Sequence, residues 1–356
     1  MHLPIAPLAE QTRIVDKIDE LFTSIEAGER AIEQARAGVA RYRKAILKAA
    51  VTGELTADWR DENPAIESAK DLLARILTAR FEAWGKSELA KLDAKGKARP
   101  ETEKQWEKFR ARYKAPISPK SDDLPKLPNE WIWVSPVQVE DTKQHALAIG
   151  PFGSNLKVKD YEDKGVPLVF VRHIRSGKFS ADKPKFVSEE KASELRAHSV
   201  SGGDLLITKM GDPPGEARVY PVTSPWAIIT ADCIKWTVSS KLAGAKYFEF
   251  CVNSVFVSQQ IKKITRGVAQ QKVSLARFRQ LGFPLPPIEE QAEIVDRVEQ
   301  ALSKADAVEA TLDAQSRAAK ALKQAVLKTA FEGKLVPQNP KDEPASELLK
   351  RIKEET

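Results

Sequence analysis

One segment of this chain occurs twice, and the two copies lie far apart. Residues 3–55 return at 283–335 with a constant offset and no gap. Several short, adjacent units are needed for a solenoid, so two distant copies exclude that architecture. The repeat instead predicts two equivalent structural arms with a different domain between them. Matched pairs include Pro4 and Pro284, Glu10–Gln11 and Glu290–Gln291, Ile14–Val15–Asp16 and Ile294–Val295–Asp296, and Gly53 and Gly333.

Each copy predicts one long helix with a coiled-coil seam. Hydrophobic residues follow alternating steps of four and three residues, which is the a/d spacing of a heptad repeat. Gly53 and Gly333 follow the two helices and permit a left-handed C-terminal cap. At Gly28 the seam is interrupted either by a close approach of the partner backbone or by a tolerated gap, and we favour the gap. The predicted seam comprises Ile14, Ile18, Leu21, Ile25, Ile32 and Val39 in the first copy and Ile294, Val298, Val308, Leu312, Leu322 and Val326 in the second.

The two helices are each other's expected partner, in an antiparallel arrangement. If a compact domain follows the first helix directly, the second helix must begin at the same end and run back. A helix over residues 9–52 would be roughly 66 Å long at 1.5 Å per residue. The expected fold class is α+β, with one mixed α/β domain on a long antiparallel two-helix coiled coil.

The region between the repeats divides at a proline-rich stretch. The part before it is helical and lysine-rich, for which a solvated helix is the simpler interpretation and a second nucleic-acid contact the alternative. The part after it has short apolar runs separated by Gly, Pro, Asp and Ser, which is typical of strands in a mixed domain. We predict a first repeat at 1–58, a connector at 59–126, a mixed α/β domain at 127–282 and a second repeat at 283–356.

The positive charge of the chain is concentrated between the repeats. The whole chain has a formal net charge of +7, whereas residues 131–282 contain 22 Lys and Arg against 14 Asp and Glu. That segment therefore accounts for the entire excess. A basic excess confined to one domain is the electrostatic pattern expected of a nucleic-acid-binding protein.

Several function classes lack the residues that they need. No apolar run of about 18 residues is present to cross a membrane, and the N-terminus has no signal-peptide pattern. The two cysteines, Cys233 and Cys251, are expected to be buried reduced thiols, and a cytoplasmic location is expected. The four histidines lack metal-ligand spacing, and neither a P-loop nor a Gly-x-Ser-x-Gly motif occurs. We expect no cofactor, no metal and no active site on this chain.

Three polar loops of the basic domain suit contacts with DNA. Residues 150–155 form a flexible turn that leads into two lysines, whose ammonium groups and neighbouring backbone N–H groups suit phosphates. Residues 171–175 end a predicted strand with planar donors of the kind that read guanine, and residues 266–272 offer amides suited to adenine. The predicted DNA-binding residues are Ser154, Asn155, Lys157, Lys159, Arg172, His173, Arg175, Lys209, Arg266, Gln270, Gln271 and Lys272.

Three stretches together resemble the specificity subunit of type I restriction–modification systems, over nearly the whole chain. They are the repeated P-x-x-P-[IL]-x-E-Q-x-x-I-V-D helix openings, GPFGSNLKVKDYEDKGVPLVFVRHI with GGDLLITKMGD, and the junction QQKVSLARFRQLGFPLPPIEEQ. The resemblance implies target-recognition domains that alternate with helical repeats, each domain reading one half of a split DNA target. It also implies that methylation subunits and a nuclease-translocase carry the active sites.

The start of the sequence departs from the pattern of a complete member of that family. A recognition domain would precede the first repeat, whereas Met1 and His2 lead directly into Leu3–Pro4. We expect a natural half-type or truncated form with one recognition domain. Its expected partners are double-stranded DNA, two methylation subunits, the nuclease-translocase that they bring, and a second copy of itself. Two alternatives stay open: a coiled-coil assembly scaffold whose central domain binds an acidic protein, and the specificity chain of another type of restriction enzyme.

Overall fold

The computed structural model describes residues 4–119, 124–175, 177–266 and 271–354. The chain forms two compact units, one made of Met1–Arg43 with Ala301–Thr356 and the other of Lys44–Gln300. In chain order, the helices are α1 (Leu8–Thr52), α2 (Ala57–Glu62), α3 (Ala69–Ala94), α4 (Glu103–Arg110), α5 (Pro136–Val139), α6 (Glu189–Glu194), α7 (Ala245–Asn253), α8 (Val255–Ile264), α9 (Leu275–Phe278), α10 (Ile288–Phe331) and α11 (Ala345–Glu354). The strands are β1 (Ile132–Val134), β2 (Leu147–Ile149), β3 (Val166–Val169), β4 (Phe186–Val187), β5 (Ser199–Val200), β6 (Leu205–Thr208), β7 (Ala217–Val219), β8 (Ala227–Ile229), β9 (Cys233–Trp236) and β10 (Phe283–Leu285).

The two repeats begin their long helices in the same way. Gln11 donates its side-chain amide to the carbonyl of Ala6 at 2.8 Å, and Gln291 donates to Pro286 at 2.9 Å. Each bond turns a glutamine of the first helical turn back onto a backbone carbonyl of the proline-rich stretch that precedes the helix. At the other end, Gly53 and Gly333 have φ of 78° and 65°. The predicted glycine stops are confirmed.

Within the first unit, α1 and α10 pair antiparallel. Arg13 lies 2.6 Å from Asp342, Arg36 lies 2.6 Å from Asp313, and Arg43 lies 2.5 Å from Asp306. Rising numbers in the first copy thus meet falling numbers in the second, which confirms the predicted direction. Exposed ion pairs stabilise by at most about 1 kcal/mol each, so their main effect here is on register and orientation.

The seam is buried at some of the predicted positions and open at two of them. Val308 and Leu322 are 47% and 52% exposed, so the expectation that these two seam residues are buried is wrong. Val308 lines an open groove beside Gly38 and Ala35. Neither residue has a side chain large enough to cover Val308. A Cβ at Gly28 would meet nothing within 4 Å, so Gly28 is a gap and not a close approach. Ile25, Ile294, Val298, Leu312 and Val326 are buried, and Ile14, Ile18, Leu21, Ile32 and Val39 are half-buried.

The second unit contains the mixed α/β region that the short apolar runs predict. One four-stranded sheet has the order β2-β9-β6-β7 and is antiparallel throughout. The other has the order β4-β3-β8-β5, with β3 and β8 parallel. Strands β1 and β10 form a separate antiparallel pair. An aromatic core is formed by Trp236, Phe248, Phe278 and Phe283, in which Trp236 and Phe283 each contact the other three rings at 5.0–6.2 Å between centroids.

Two stretches of regular structure in this unit are interrupted. The apolar run at 227–238 is split by a turn at residues 230–232 into β8 and β9. Helices α7 and α8 are separated at Ser254, whose backbone is extended and whose hydroxyl caps α8 by accepting from the N–H of Val257. The two cysteines are fully buried, and burial raises the pKa of Cys233 and of Cys251 to about 12.

A buried carboxylate ties together three parts of the second unit. Glu290, in the first turn of α10, is 1% exposed. It accepts hydrogen bonds from the Thr56 hydroxyl at 2.6 Å, from Arg60 Nε at 2.9 Å and from the Trp131 indole at 2.7 Å. These partners lie after α1 and immediately before β1. A single side chain therefore fixes the end of the first repeat, the start of the mixed region and the start of the second repeat.

Candidate nucleic-acid interface

The sheet topology brings the predicted binding loops to one edge. Strands β2 and β6 both pair antiparallel with β9, so they run in the same direction. The segments that follow them, residues 150–155 and 209–216, therefore leave the sheet at the same end of the strands. Strand β3 runs parallel to β8, and its last carbonyl, at Val169, accepts from the N–H of Thr230 in the turn that leads into β9. Residues 170–175 consequently reach this edge as well.

Direct contacts join four segments: residues 150–160, 171–175, 209–216, and 266 with 271–273. The Lys209 ammonium lies 5.7 Å from the centre of the Phe152 ring. Arg175 Nη2 donates to the carbonyl of Pro213 at 3.2 Å. The N–H of Gly211 donates to the carbonyl of Gln271 at 3.2 Å. We call these segments the loop cluster, and residues 209–216 contact each of the other three.

The first segment begins under tight steric constraint and then becomes exposed. A Cβ at Gly150 would lie 2.1 Å from the carbonyl oxygen of Thr230, so only glycine fits there. Beyond it, Asn155 donates its N–H to the Phe152 carbonyl at 2.8 Å, and Lys157 donates its N–H to Asp160 at 2.7 Å. These amides are used within the loop. The exposed side chains of Ser154, Asn155, Lys157 and Lys159 are what the segment offers to a ligand.

The second segment divides its three predicted residues between surface and interior. Arg172 is exposed, with its guanidinium 4.1 Å from the Phe170 ring centre and Nη2 donating to the Lys183 carbonyl at 2.9 Å. Arg175 is half-buried, and its Nε lies 3.8 Å from a carboxylate oxygen of Glu216. Both arginines are oriented by backbone carbonyls, which leaves further N–H groups of each guanidinium for a ligand.

His173 is the exception, and its prediction as a DNA contact is wrong. A 3-10 turn at residues 171–173 directs the imidazole inward, where it is 3% exposed beside the rings of Phe170 and Phe179. Its Nδ1 accepts from the N–H of Phe170 at 3.4 Å. Burial lowers the pKa of His173, and the nearby positive charge of Arg172 lowers it further. A buried neutral ring cannot contact a phosphate or a base edge.

In the fourth segment, Arg266 and Lys272 exchange backbone hydrogen bonds of 3.2 and 2.9 Å, and the side chains of both are exposed. Gln271 is half-buried, while Gln270 lies outside the described residues. The neighbouring Lys209 is half-buried, and its ammonium donates to the carbonyl of Ala231 at 3.1 Å. The ammonium group of Lys209 is thus held within the cluster, which makes Lys209 less available to a ligand than the exposed lysines are.

The cations of the loop cluster are largely free of carboxylates. In the described parts of the four segments, Arg175 has Glu216 as an ion-pair partner. No ion pair of 4.0 Å or less is found there for Lys157, Lys159, Arg172, Lys209, Arg266 or Lys272. Elsewhere the chain pairs its arginines extensively, as at Arg13, Arg43 and Arg297. The cluster therefore has positive charge that an anionic ligand can neutralise.

Within the described ranges, neither a metal-ligating cluster nor a membrane-spanning helix is present. Among those residues, no group of three His, Cys, Asp or Glu side chains is placed to hold a metal ion. The helices there include none with the length and apolar character that crossing a bilayer requires.

Sequence reasoning missed Phe152. Its ring is 66% exposed at the surface of the loop cluster. The available signal was an aromatic residue between Pro151 and Gly153, in a loop with no hydrophobic pattern to place it in a core.

The connector folds differently from a plain solvated helix. Helix α4 returns along α3, with Phe109 5.1 Å from Trp84 and 5.6 Å from Trp106 between ring centroids. Its aromatic side chains are thus engaged with one another. The alternative of a second nucleic-acid contact stays a prediction that rests on the connector's lysines.

Part of this region is similar to a known domain family. Residues 177–315 match the family model described as the type I restriction modification DNA specificity domain. The match begins shortly before α6, covers the rest of the mixed α/β region and continues into α10.

Individual relatives carry the same name. The chain is 25% identical over 99% of its length to the Type I restriction enzyme EcoBI specificity subunit of Escherichia coli, and 26% identical over 98% to the EcoDI specificity subunit of that species. It spans 64% and 67% of those two proteins. The resemblance stated from the sequence is confirmed: the chain is similar to type I specificity subunits across nearly its whole length.

A solved structure shares the fold. It comes from work on complex assembly and conformational transition of the type I R-M system, and it matches 94% of this chain and 62% of its own with a TM-score of 0.57 at 17% identity.

Proposed function

We propose that this chain is a DNA-recognition subunit of a type I restriction–modification complex and that its loop cluster reads one half of a split target. The observation that carries the proposal is the convergence of four loops with unpaired cations at one sheet edge. The names of the relatives and of the matching domain family support it. Because the chain spans about two thirds of the first relatives, the activity and partners of the whole assembly belong to the proposal.

The cluster supplies two kinds of contact. Exposed lysines such as Lys157, Lys159 and Lys272 neutralise phosphates and release counterions, which gives affinity without sequence preference. Arg172 is held by a ring and a carbonyl, so its planar donors are preorganised for a base edge, and Gln271 is fixed through its backbone. The held side chains would read sequence, and the free ones would position the duplex.

The other parts of the proposal concern partners. Catalysis would lie in methylation subunits, two per complex, and in a nuclease-translocase that they bring to the DNA. The two helix starts, with the same glutamine bond in each repeat, would offer similar docking surfaces to the two methylation subunits. The division at residues 58, 126 and 282 remains part of this proposal, as does self-association.

A filter-binding titration with random-sequence duplexes at two salt concentrations tests the proposal. We expect binding whose logarithm falls linearly with the logarithm of salt concentration, with the slope expected when several phosphates are neutralised. A scaffold whose basic surface meets an acidic protein would show no duplex binding at either salt. Adding a type I methylation subunit separates this class from another restriction-enzyme type, because only a type I partner would form a stable complex with the chain.

A further inference from the structure

Phe152 is placed unusually for an aromatic side chain. Its ring is 66% exposed, whereas Pro151 immediately before it is buried. Single exposed hydrophobic residues are common and need no explanation by themselves. Phe152, however, lies among the unpaired cations of the loop cluster, on the surface where DNA is proposed to bind.

The structure holds the ring in this position. Its backbone is fixed on one side by Gly150, which fits tightly against Thr230, and on the other by the Asn155 N–H that donates to the Phe152 carbonyl at 2.8 Å. The Lys209 ammonium lies 5.7 Å from the ring centre and is itself anchored on the Ala231 carbonyl at 3.1 Å. Cation–π attraction of this kind orients an exposed ring without covering it. The ring is therefore presented outward on a constrained loop.

The chemistry of a duplex limits what such a ring can contact. Phosphates and most base-edge atoms are polar and gain nothing from a phenyl group. The apolar feature of the major groove is the C5-methyl group of thymine, which phenylalanine can contact. Arg172 and Gln271, in the same cluster, carry donors and acceptors that match guanine and adenine in that groove.

We propose that Phe152 packs against the methyl group of one thymine in the major groove of the recognised half-site and is a specificity-determining residue. This inference rests on the proposed DNA-binding function. An aromatic wedge between base pairs is a different arrangement, which proteins make from the minor groove and which kinks the duplex. The major-groove character of the neighbouring side chains favours the methyl contact.

The test uses the full chain with its methylation subunit and a duplex selected from a random pool. Each thymine of the selected site is replaced in turn by deoxyuridine, which lacks the C5-methyl group. At one position the wild type should lose about four-fold in affinity, the size expected for one buried methyl group. The Phe152→Ala variant should bind the thymine duplex at least as weakly as the wild type binds the deoxyuridine duplex. Replacing the thymine by deoxyuridine at that position should then cause the variant no further loss of affinity. The matched control is Val222→Ala, which truncates an 80% exposed side chain outside the cluster and should behave as the wild type.

Several outcomes would overturn the inference. Phe152→Ala could keep the full sensitivity to deoxyuridine at every position, or the wild type could show no such sensitivity. A Phe152-dependent rise in 2-aminopurine fluorescence within the site would indicate a wedge between bases. If the wild type prefers no duplex over random DNA, the proposed function itself fails, and that result appears before any variant is compared.

Discussion

Arg172 and Lys157 differ in how their side chains are held, and this difference predicts different effects of removing them. Arg172 is oriented by Phe170 and by the Lys183 carbonyl, whereas Lys157 is exposed. Arg172→Ala should cost about 1–3 kcal/mol at one base pair and relax preference there, as loss of a bidentate base contact does. We expect Gln271→Ala to relax preference at another position. Competition binding against single-base variants of the site measures both effects.

Lys157→Ala should weaken binding to all duplexes alike and reduce the slope of the salt dependence by about one. The control is Lys241→Ala, because Lys241 follows β9 at the opposite edge of the sheet. Equal, sequence-independent losses in Arg172→Ala, Gln271→Ala and Lys157→Ala would mean that these residues all contact the backbone.

His173 predicts a pH effect on stability and none on DNA reading. Burial lowers its pKa from the ordinary value of 6.5, so the unfolded chain binds the proton first as pH falls. The contribution of neutral His173 to the free energy of unfolding is fully present above pH 6.5 and is lost as pH falls from there through the folded-state pKa. His173→Phe should remove this part of the decline in thermal unfolding measured between pH 7.5 and 5. A changed base preference in that variant would restore His173 as a DNA contact.

The buried carboxylate of Glu290 joins the end of the first repeat, the start of the mixed region and the start of α10. Removing one partner of a buried charge pair leaves the other uncompensated, so Glu290→Ala should lower the free energy of unfolding by about 3–5 kcal/mol. The neighbouring Glu289 is exposed and provides a matched control, whose replacement by alanine should change stability by about 0.5 kcal/mol or less. Urea unfolding of the full chain compares the two. Similar small losses in both would show that the carboxylate of Glu290 does not hold the junction.

The elements also show what the sequence could predict. The long helices, their direction and their glycine ends follow from local periodicity and from the constant repeat offset. The exposure of Val308 and Leu322, the inward turn of His173 and the break at Ser254 depend on tertiary surroundings. Heptad spacing says which side a residue faces, but not whether the partner's side chain at that level is large enough to cover it. The meeting of the four loops likewise required knowing that β2 and β6 share a direction.

We expect the two long helices to set the spacing between two half-sites. Helix α1 has 45 residues, or about 68 Å at 1.5 Å per residue. Deleting one heptad from each helix at matching levels, residues 28–34 and 315–321, removes the gap at Gly28 and keeps the Arg36–Asp313 pair. The preferred spacer should shorten by about 3 bp, from the rise per residue and per base pair. An unchanged spacer, read by selection from duplexes with variable spacers, would refute this role.

Selection of bound duplexes from a random pool, with the methylation subunit present, shows whether the loop cluster recognises a DNA sequence. The wild-type chain should enrich one short motif, and Arg172→Ala and Gln271→Ala should each broaden that motif at a single position. Enrichment of no motif, or of the same unaltered motif by both variants, would show that the loop cluster does not read the DNA sequence.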